Sequence, residues 1–300
     1  MRKKLDKKNF KCPGCGAQAR RFDHDKSASI FVCTSCKLEW ANILGHGGWL
    51  IDNENTVHQH YMAPWTMDWS TYKPYLDFWD NLEKMEIRPP FRLLDIGCGN
   101  GAFVRECLKR GIDAWGVDAD DANRNRQVEG VYDRILFSRA EELPEDLGQF
   151  DLVTFWDSFE HIPAPFALLN QLRKRLVNGA TIFIRVNNSF DIYNLLARGL
   201  MWTCPVLGRP VYRSCFGFPQ HYWNFNPRGV SCLSERHGWK IVFHRLTETP
   251  ADRLFAGAFK VFIVNVAYAF NRLIRGGKIG EYFLKSDQIN KDQKSHEREA

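Results

Sequence analysis

An apolar run containing Phe91, Leu93 and Leu94 leads directly into Asp95-Ile96-Gly97-Cys98-Gly99-Asn100-Gly101, and this junction narrows the possible folds of the chain more than any other stretch. Three glycines in five residues let the backbone turn sharply and approach a ligand closely, so a buried strand ends where they begin. Phe103, Val104, Cys107 and Leu108 then recur at helical spacing. Strand, glycine-rich turn and helix in that order predict an α/β sheet with a ligand site at the carboxyl ends of its strands.

A three-glycine turn also occurs in dinucleotide-binding domains, and charge separates the two cases. Ile112 to Asp118 reads as a second strand ending in a carboxylate, seventeen residues beyond Gly101, where it can accept hydrogen bonds from two ribose hydroxyls. No lysine accompanies the glycines to grip a phosphate, and Asp95 opens the turn with negative charge. An acid there repels a pyrophosphate and attracts an ammonium and a sulfonium, which favours S-adenosylmethionine over a dinucleotide.

Asp95 to Gly101 has the form Asp-x-Gly-x-Gly-x-Gly, and in this the chain resembles class I S-adenosylmethionine-dependent methyltransferases. The resemblance covers roughly residues 75 to 245. It continues through Asp118, Ala140-Glu141-Glu142-Leu143-Pro144 after a third strand, and Phe150 to Asp157 as the fourth. It implies an α/β fold: a Rossmann-like, doubly wound, seven-stranded methyltransferase sheet. The implied cofactor set is Asp95, Gly97, Gly99 and Gly101 by the methionine part, Asp118 with Ala119 on the ribose, Ala140 and Glu141 near the adenine, and Asp157 at the crevice. Where many relatives have an acid just before that alanine, this chain has Arg139. An inactive scaffold of the same fold is the alternative.

The segment Trp156-Asp157-Ser158-Phe159-Glu160-His161-Ile162-Pro163 ends the fourth strand and faces the same crevice. His161, with an ordinary pKa near about 6.5, is the candidate general base for an acceptor hydroxyl. Little else is needed, since a sulfonium is a good leaving group and the protein has mainly to align the reactants and exclude water. Asp157, Glu160 and His161 also form an acid-x-x-acid-His pattern similar to that of ubiquinone-type O-methyltransferases, where it is associated with a divalent cation. Mg²⁺ is therefore a candidate second cofactor. The structural alternative is that Glu160 and His161 cap a helix opened by Pro163. After a fifth strand, Ala180 to Asn187, relatives often have a His-x-x-x-Phe segment at the lip of the acceptor pocket, so the resemblance implies that place for His221 with Tyr222 and Trp223, with simple packing of Trp223 and Phe225 as the alternative.

Upstream, Cys12-Pro13-Gly14-Cys15 and Cys33-Thr34-Ser35-Cys36 stand seventeen residues apart. This is zinc-ribbon spacing: two Cys-x-x-Cys knuckles close a four-thiolate shell with no open position, so Zn²⁺ here is expected to be structural. Nine cysteines in all, five of them without framework spacing, argue against disulfides and for a reducing compartment. Phe31, Val32, Leu38 and Trp40 suggest a small hairpin platform.

Residues 1–11 carry six basic side chains against one acidic, a surplus of +5 that nearly exhausts the net +6 of the chain. The remainder is not a broadly basic nucleic-acid binder, and no specific nucleic-acid partner is expected. The organisation read from the sequence is a basic disordered arm over 1–11, the ribbon over 12–44, an aromatic connecting segment over 45–74, the methyltransferase domain over 75–286, and a polar tail over 287–300. The connecting segment, with His46, His58, His60, Tyr61, Trp65 and Trp69, is expected to fold over the cofactor, its histidines not ligating metal. An apolar insertion over 250–276 is too short and interrupted to span a bilayer, which takes about 20 apolar residues. It is expected either to lie on an anionic inner leaflet or to be a helix inserted between the last two strands and buried on the sheet or in a dimer, with 280–286 returning as the final edge strand. No signal peptide is apparent, which predicts a cytoplasmic protein, peripheral to the inner membrane if 250–276 touches it.

The leading functional expectation is an enzyme transferring methyl from S-adenosylmethionine to an oxygen of a small or lipid-linked acceptor, a sugar or quinone-like intermediate. One alternative is RNA or protein methylation with the ribbon docking the substrate, although no Asn-Pro-Pro-Tyr-type motif follows the fourth strand. The other is a non-catalytic, zinc-dependent interaction protein.

Overall fold

The structure, a computed structural model, describes residues 10–24, 28–43, 71–249 and 258–286, without the side chains of 43 and 258–263. The expectations for residues 1–9, for the aromatic segment with His46, His58, His60, Tyr61, Trp65 and Trp69, and for the polar tail fall outside these residues.

Four short strands come first: β1 (Phe10–Lys11), β2 (Gln18–His24), β3 (Ala28–Cys33) and β4 (Glu39–Ile43). Phe10 and Lys11, placed by the sequence reading in a disordered arm, pair with Ala19 and Gln18 instead, and the Phe10 ring lies 4.5 Å from that of Phe31. Then follow α1 (Lys73–Lys84), β5 (Arg92–Ile96), α2 (Ala102–Lys109), β6 (Asp113–Asp118), β7 (Ile135–Phe137), β8 (Phe150–Trp156), α3 (Pro165–Leu172) and β9 (Leu176–Asn187). The chain closes with α4 (Ile192–Thr203), α5 (Pro205–Phe216), β10 (Trp223–Asn224), α6 (Pro227–Arg236), β11 (Trp239–Thr247), α7 (Ala258–Leu273) and β12 (Ile279–Ser286).

The main sheet has seven strands in the order β11-β12-β9-β8-β5-β6-β7. Strands β5 to β9 pair in parallel, and β12 runs antiparallel to both of its neighbours. This is a Rossmann-like, doubly wound architecture of the expected class. β12 departs from expectation: it fills the gap between β9 and β11 rather than forming an edge. Ile279 through Leu284 are all buried, with Glu281 among them paired to Arg185 and Arg245, and a strand covered on both faces belongs inside a sheet. The late apolar segment forms α7, inserted between the last two strands, and no helix among the described residues is long and apolar enough to cross a membrane.

Helix α1 closes one face of the sheet. Its Phe78 is fully buried and meets the rings of Phe103, Trp156, Phe183 and Phe283, drawn from α2 and three neighbouring strands. On the other face, Phe159, Phe166 and Leu169 pack with Phe155 and Ile184.

The N-terminal strands form a second sheet, and it is more than the separate hairpin platform the sequence suggested. Its order is β1-β2-β3-β4-β10, so its last strand comes from the distant segment Trp223–Asn224, with Trp223 opposite Trp40 and Asn224 opposite Glu39. Cys12, Cys33, Cys36 and Leu38 share one apolar core with Phe159, Phe225, Val230 and Leu233. Gly229 permits this contact, since a Cβ there would stand 2.9 Å from the Leu38 side chain. Two fully buried carboxylates complete the junction: Glu39 pairs with Arg198 of α4, and Asp23 with Arg209 and Arg213 of α5.

Candidate functional site

The glycine-rich turn leaves β5 with Gly97, Gly99 and Gly101 all in the left-handed region. Space demands glycine as well as backbone angle: a Cβ on Gly97 would stand 2.5 Å from the Ser158 Cβ, whose hydroxyl donates to the Ile96 carbonyl at 2.6 Å. Asp118, at the end of β6, reaches across to the turn. Its carboxylate accepts from the Gly99 amide at 2.7 Å, the Asp120 amide at 2.8 Å and the Asn123 side chain at 3.3 Å. Burial raises its pKa, while those three donors oppose the shift. A carboxylate offers about four acceptor positions, so one is left for a ribose hydroxyl. Asp95 lies beneath the turn and accepts the Thr154 hydroxyl at 2.7 Å. Burial pushes its pKa up to about 7, and nearby Asp118 adds to the shift.

Ala119 follows Asp118 and is exposed. Ala140 opens a 3₁₀ turn, Ala140–Glu142, and Glu141 beside it lies 3.8 Å from Arg139. The arginine that replaces the usual acid thus faces the neighbouring carboxylate at the surface.

Asp157, Glu160 and His161 are not brought together as a ligand set. Asp157 adopts a left-handed backbone, pairs with the buried Arg185 and leaves its side chain 43% exposed. Glu160 and His161 are joined instead by His221, with one ligand atom of each lying within 4.8 Å of the others. Glu160 is buried, and its Oε2 has no hydrogen-bond partner. Burial, reinforced by Asp157, pushes its pKa up to about 8. Burial lowers His161, and burial with the neighbouring His161 lowers His221 to about 3.

Both imidazoles are therefore neutral, and their partners fix the tautomers. His161 Nδ1 stands 3.1 Å from the Gln220 carbonyl and His221 Nδ1 3.0 Å from the Phe216 carbonyl. A carbonyl only accepts, so each Nδ1 carries the proton and each Nε2 the basic lone pair. The proposed capping role is absent: α3 begins at Pro165, and its N-cap, Ala164, makes no side-chain capping bond. Trp223 does fasten its segment, donating from its indole to the Ile162 carbonyl at 2.9 Å and stacking on Phe225.

The four thiols fit a tetrahedral metal. Cys12 and Cys36 Sγ are 3.6 Å apart, Cys15 and Cys33 Sγ 3.4 Å, close to the roughly 3.8 Å edge set by Zn–S bonds of about 2.3 Å, and all four cysteines are free of disulfides. Burial pushes Cys12 up to about 11 and raises Cys36 as well. Cys15 is drawn down to about 6 against its burial, by the Ala17 amide and the adjoining thiols. All four become thiolates together only around a bound cation.

Sequence reasoning missed Arg185. It is 2% exposed on β9, and beyond Asp157 it lies 3.6 Å from Glu281 of β12 and 3.3 Å from the Tyr72 hydroxyl. Glu281 in turn holds Arg245, which reaches Asp77 of α1. The available signal was a lone arginine inside Thr181-Ile182-Phe183-Ile184-Arg185-Val186, since a charge in a buried strand requires a partner.

A family model described as "Methyltransferase domain" matches residues 69–243. The chain is similar to the ubiquinone biosynthesis O-methyltransferase of Pseudomonas aeruginosa, 32% identical over 128 residues, 40% of this chain and 55% of that protein. It is 26% identical over 104 residues to the same-named protein of Acinetobacter baylyi, 32% of this chain and 44% of the relative. The chain thus spans about half the length of the curated relatives it matches. A solved SAM dependent methyltransferase from Archaeoglobus fulgidus aligns with a TM-score of 0.48 at 21% identity, over 69% of this chain and 92% of that one.

Proposed function

This chain belongs to the methyltransferase domain family, as a class I member with S-adenosylmethionine as its cofactor, and we propose that it transfers methyl to an oxygen of a small or lipid-linked acceptor, a sugar or quinone-like intermediate. The observation that carries this reading is the pair of histidines, His161 just after β8 and His221 just before β10, whose rings lie 4.6 Å apart with each Nδ1 held by a backbone carbonyl. S-adenosylmethionine supplies an activated methyl group on a sulfonium. Asp118 accepts one ribose hydroxyl at its remaining position, and the backbone from Gly97 to Gly101 approaches the methionine portion. His161, deprotonated at Nε2, takes the acceptor proton as the methyl group moves, and His221 orients the same hydroxyl. Transfer of labelled methyl onto candidate acceptors, read by mass spectrometry, tests this. Cofactor binding without turnover on sugar, quinone, RNA or protein acceptors would favour the non-catalytic reading.

A divalent cation at Glu160, His161 and His221 is a second reading, favoured by the unpartnered Glu160 Oε2. Two nitrogens and one carboxylate suit Zn²⁺ or Mn²⁺ better than Mg²⁺, which prefers an all-oxygen shell. Activity that survives exhaustive chelation at this site eliminates it.

The lipid-linked class of acceptor draws support from α4 and α5. Val206 is 84% exposed, and Leu196, Trp202 and Leu207 stand out beside it. No acidic residue occurs between Ile192 and Ser234, and Arg209, although paired with buried Asp23, keeps its side chain 51% exposed. α7 presents Phe270 and Leu273 to solvent as well. An exposed apolar surface on a segment without acids suits an anionic leaflet, and this supports the reading of a peripheral membrane contact. Sedimentation with anionic and with neutral vesicles checks this, and equal recovery in the supernatant with both would refute it.

A further inference from the structure

The ribbon meets the candidate site through the segment that carries His221. Strand β4 pairs with β10 directly after that histidine, and the Ala41 amide donates to the Tyr222 carbonyl at 2.8 Å. On the opposite side the Tyr222 amide donates to the Glu160 carbonyl at 2.9 Å. Tyr222, the residue after His221, is therefore clamped between the ribbon and the segment that bears Glu160 and His161.

Side chains lock the same junction. Fully buried Glu39 of β4 accepts from the Asn224 amide group at 2.7 Å and from Arg198 at 2.9 Å, and Arg198 also donates to the Ser189 carbonyl at 3.0 Å. Cys33 and Cys36 lie in the turn that leads into β4, where the Cys33 amide donates to the Leu38 carbonyl at 2.9 Å. None of these contacts reaches Asp118 or the glycine-rich turn, which rest on β5 and β6.

We propose that the Cys₄ ribbon positions the acceptor side of the site: through Glu39 and the β4–β10 pairing it holds His221 against Glu160 and His161, so that a metal in the four-thiol shell governs acceptor-side geometry while cofactor binding stands apart. This rests on the methyltransferase reading above. Glu39 is then a positioning residue, acting through Asn224 and the backbone of 221–224. Ordering those residues in advance spares the reaction that cost, and misplacing a reacting group by about 1 Å typically costs about 100-fold in rate.

The test uses the full chain with ¹³C-labelled histidine rings, S-adenosylmethionine calorimetry and steady-state turnover. Glu39→Ala and removal of metal by a thiol-competent chelator are each expected to shift the His221 and His161 ring resonances and to lower kcat by about 100-fold, with cofactor affinity unchanged within twofold. Glu39→Gln, which still accepts from Asn224, is expected to restore the resonances in large part. Ala41→Pro removes the single amide that faces Tyr222, and serves where Glu39→Ala does not fold. Ring resonances unmoved in every variant and without metal would overturn the proposal, as would cofactor affinity falling in step with kcat. A wild-type protein that binds no S-adenosylmethionine defeats the methyltransferase reading itself, while the resonances still decide whether the ribbon sets His221.

Discussion

His161 and His221 meet edge to face, their ring centroids 4.6 Å apart and their planes at 86°. Two imidazolium ions that close would repel, and burial already disfavours either charge. The pair therefore works as two neutral rings, and this has a kinetic consequence.

Burial holds the His161 pKa below its usual value, so the basic form prevails at neutral pH and is lost only as pH falls through the lowered pKa. Turnover should be flat from about pH 7 upward and decline only below about 6.5, the ordinary histidine value. His161→Ala should lower kcat by about 100-fold or more, the usual worth of a general base, with cofactor affinity retained. A rate that halves between pH 8 and 7 would contradict the assignment.

Asp118→Ala removes the acceptor shared by the Gly99 and Asp120 amides and the proposed ribose contact. Hydrogen bonds to a charged group contribute about 1.5–3 kcal/mol, so cofactor affinity should weaken roughly 10- to 100-fold. Calorimetry measures this directly, and unaltered affinity would remove Asp118 from the cofactor site.

Asp95 gives a stability signature. Its folded pKa of about 7 lies above the unfolded value near 3.9, so the native state keeps the proton longer. Stability from this group is complete below about pH 4 and declines as pH rises towards 7, by at most about 4 kcal/mol. Asp95→Asn still accepts the Thr154 hydroxyl but cannot ionise. Denaturant unfolding at pH 5 and pH 8 should show the variant losing less stability than wild type, and equal losses would contradict a buried, protonated Asp95.

The four thiols predict one zinc per chain by elemental analysis. Cys36→Ser should abolish stoichiometric zinc and lower the melting temperature, because metal bound only by the folded chain is folding free energy. Full metal content in the variant would place the ion elsewhere.

Gly97→Ala adds a Cβ where Ser158 already stands and keeps a left-handed backbone angle. A destabilisation of about 1–2 kcal/mol from the angle alone is expected, together with displacement of the turn and weaker cofactor binding. An unchanged melting temperature would mean the turn relaxes freely.

Local pattern made much of this molecule legible. Asp95 to Gly101, the carboxylate at Asp118 and the Cys12, Cys15, Cys33 and Cys36 knuckles are short-range signals, and each lies where its spacing implied. What escaped sequence reasoning depends on contacts distant in the chain. Arg185 and Glu281 are 96 positions apart in sequence yet share one buried charge network, and Trp223 joins a sheet begun at Phe10. The ligand set changed for the same reason: the acid-x-x-acid-His pattern grouped Asp157 with Glu160 and His161, but Asp157, in a left-handed backbone, pairs with Arg185, and His221 arrives from 60 residues away.

β12 occupies the middle of one half of the sheet although, among the described residues, it is the last strand to be made. On the ribosome, β9 and β11 must wait with bare hydrogen-bonding edges until Ile279 to Ser286 has left the exit tunnel, and a nascent chain halted before that point exposes two ready templates for intermolecular pairing. Late-arriving closure of this kind makes rapid overproduction a hazard that slower translation or a holding chaperone would relieve.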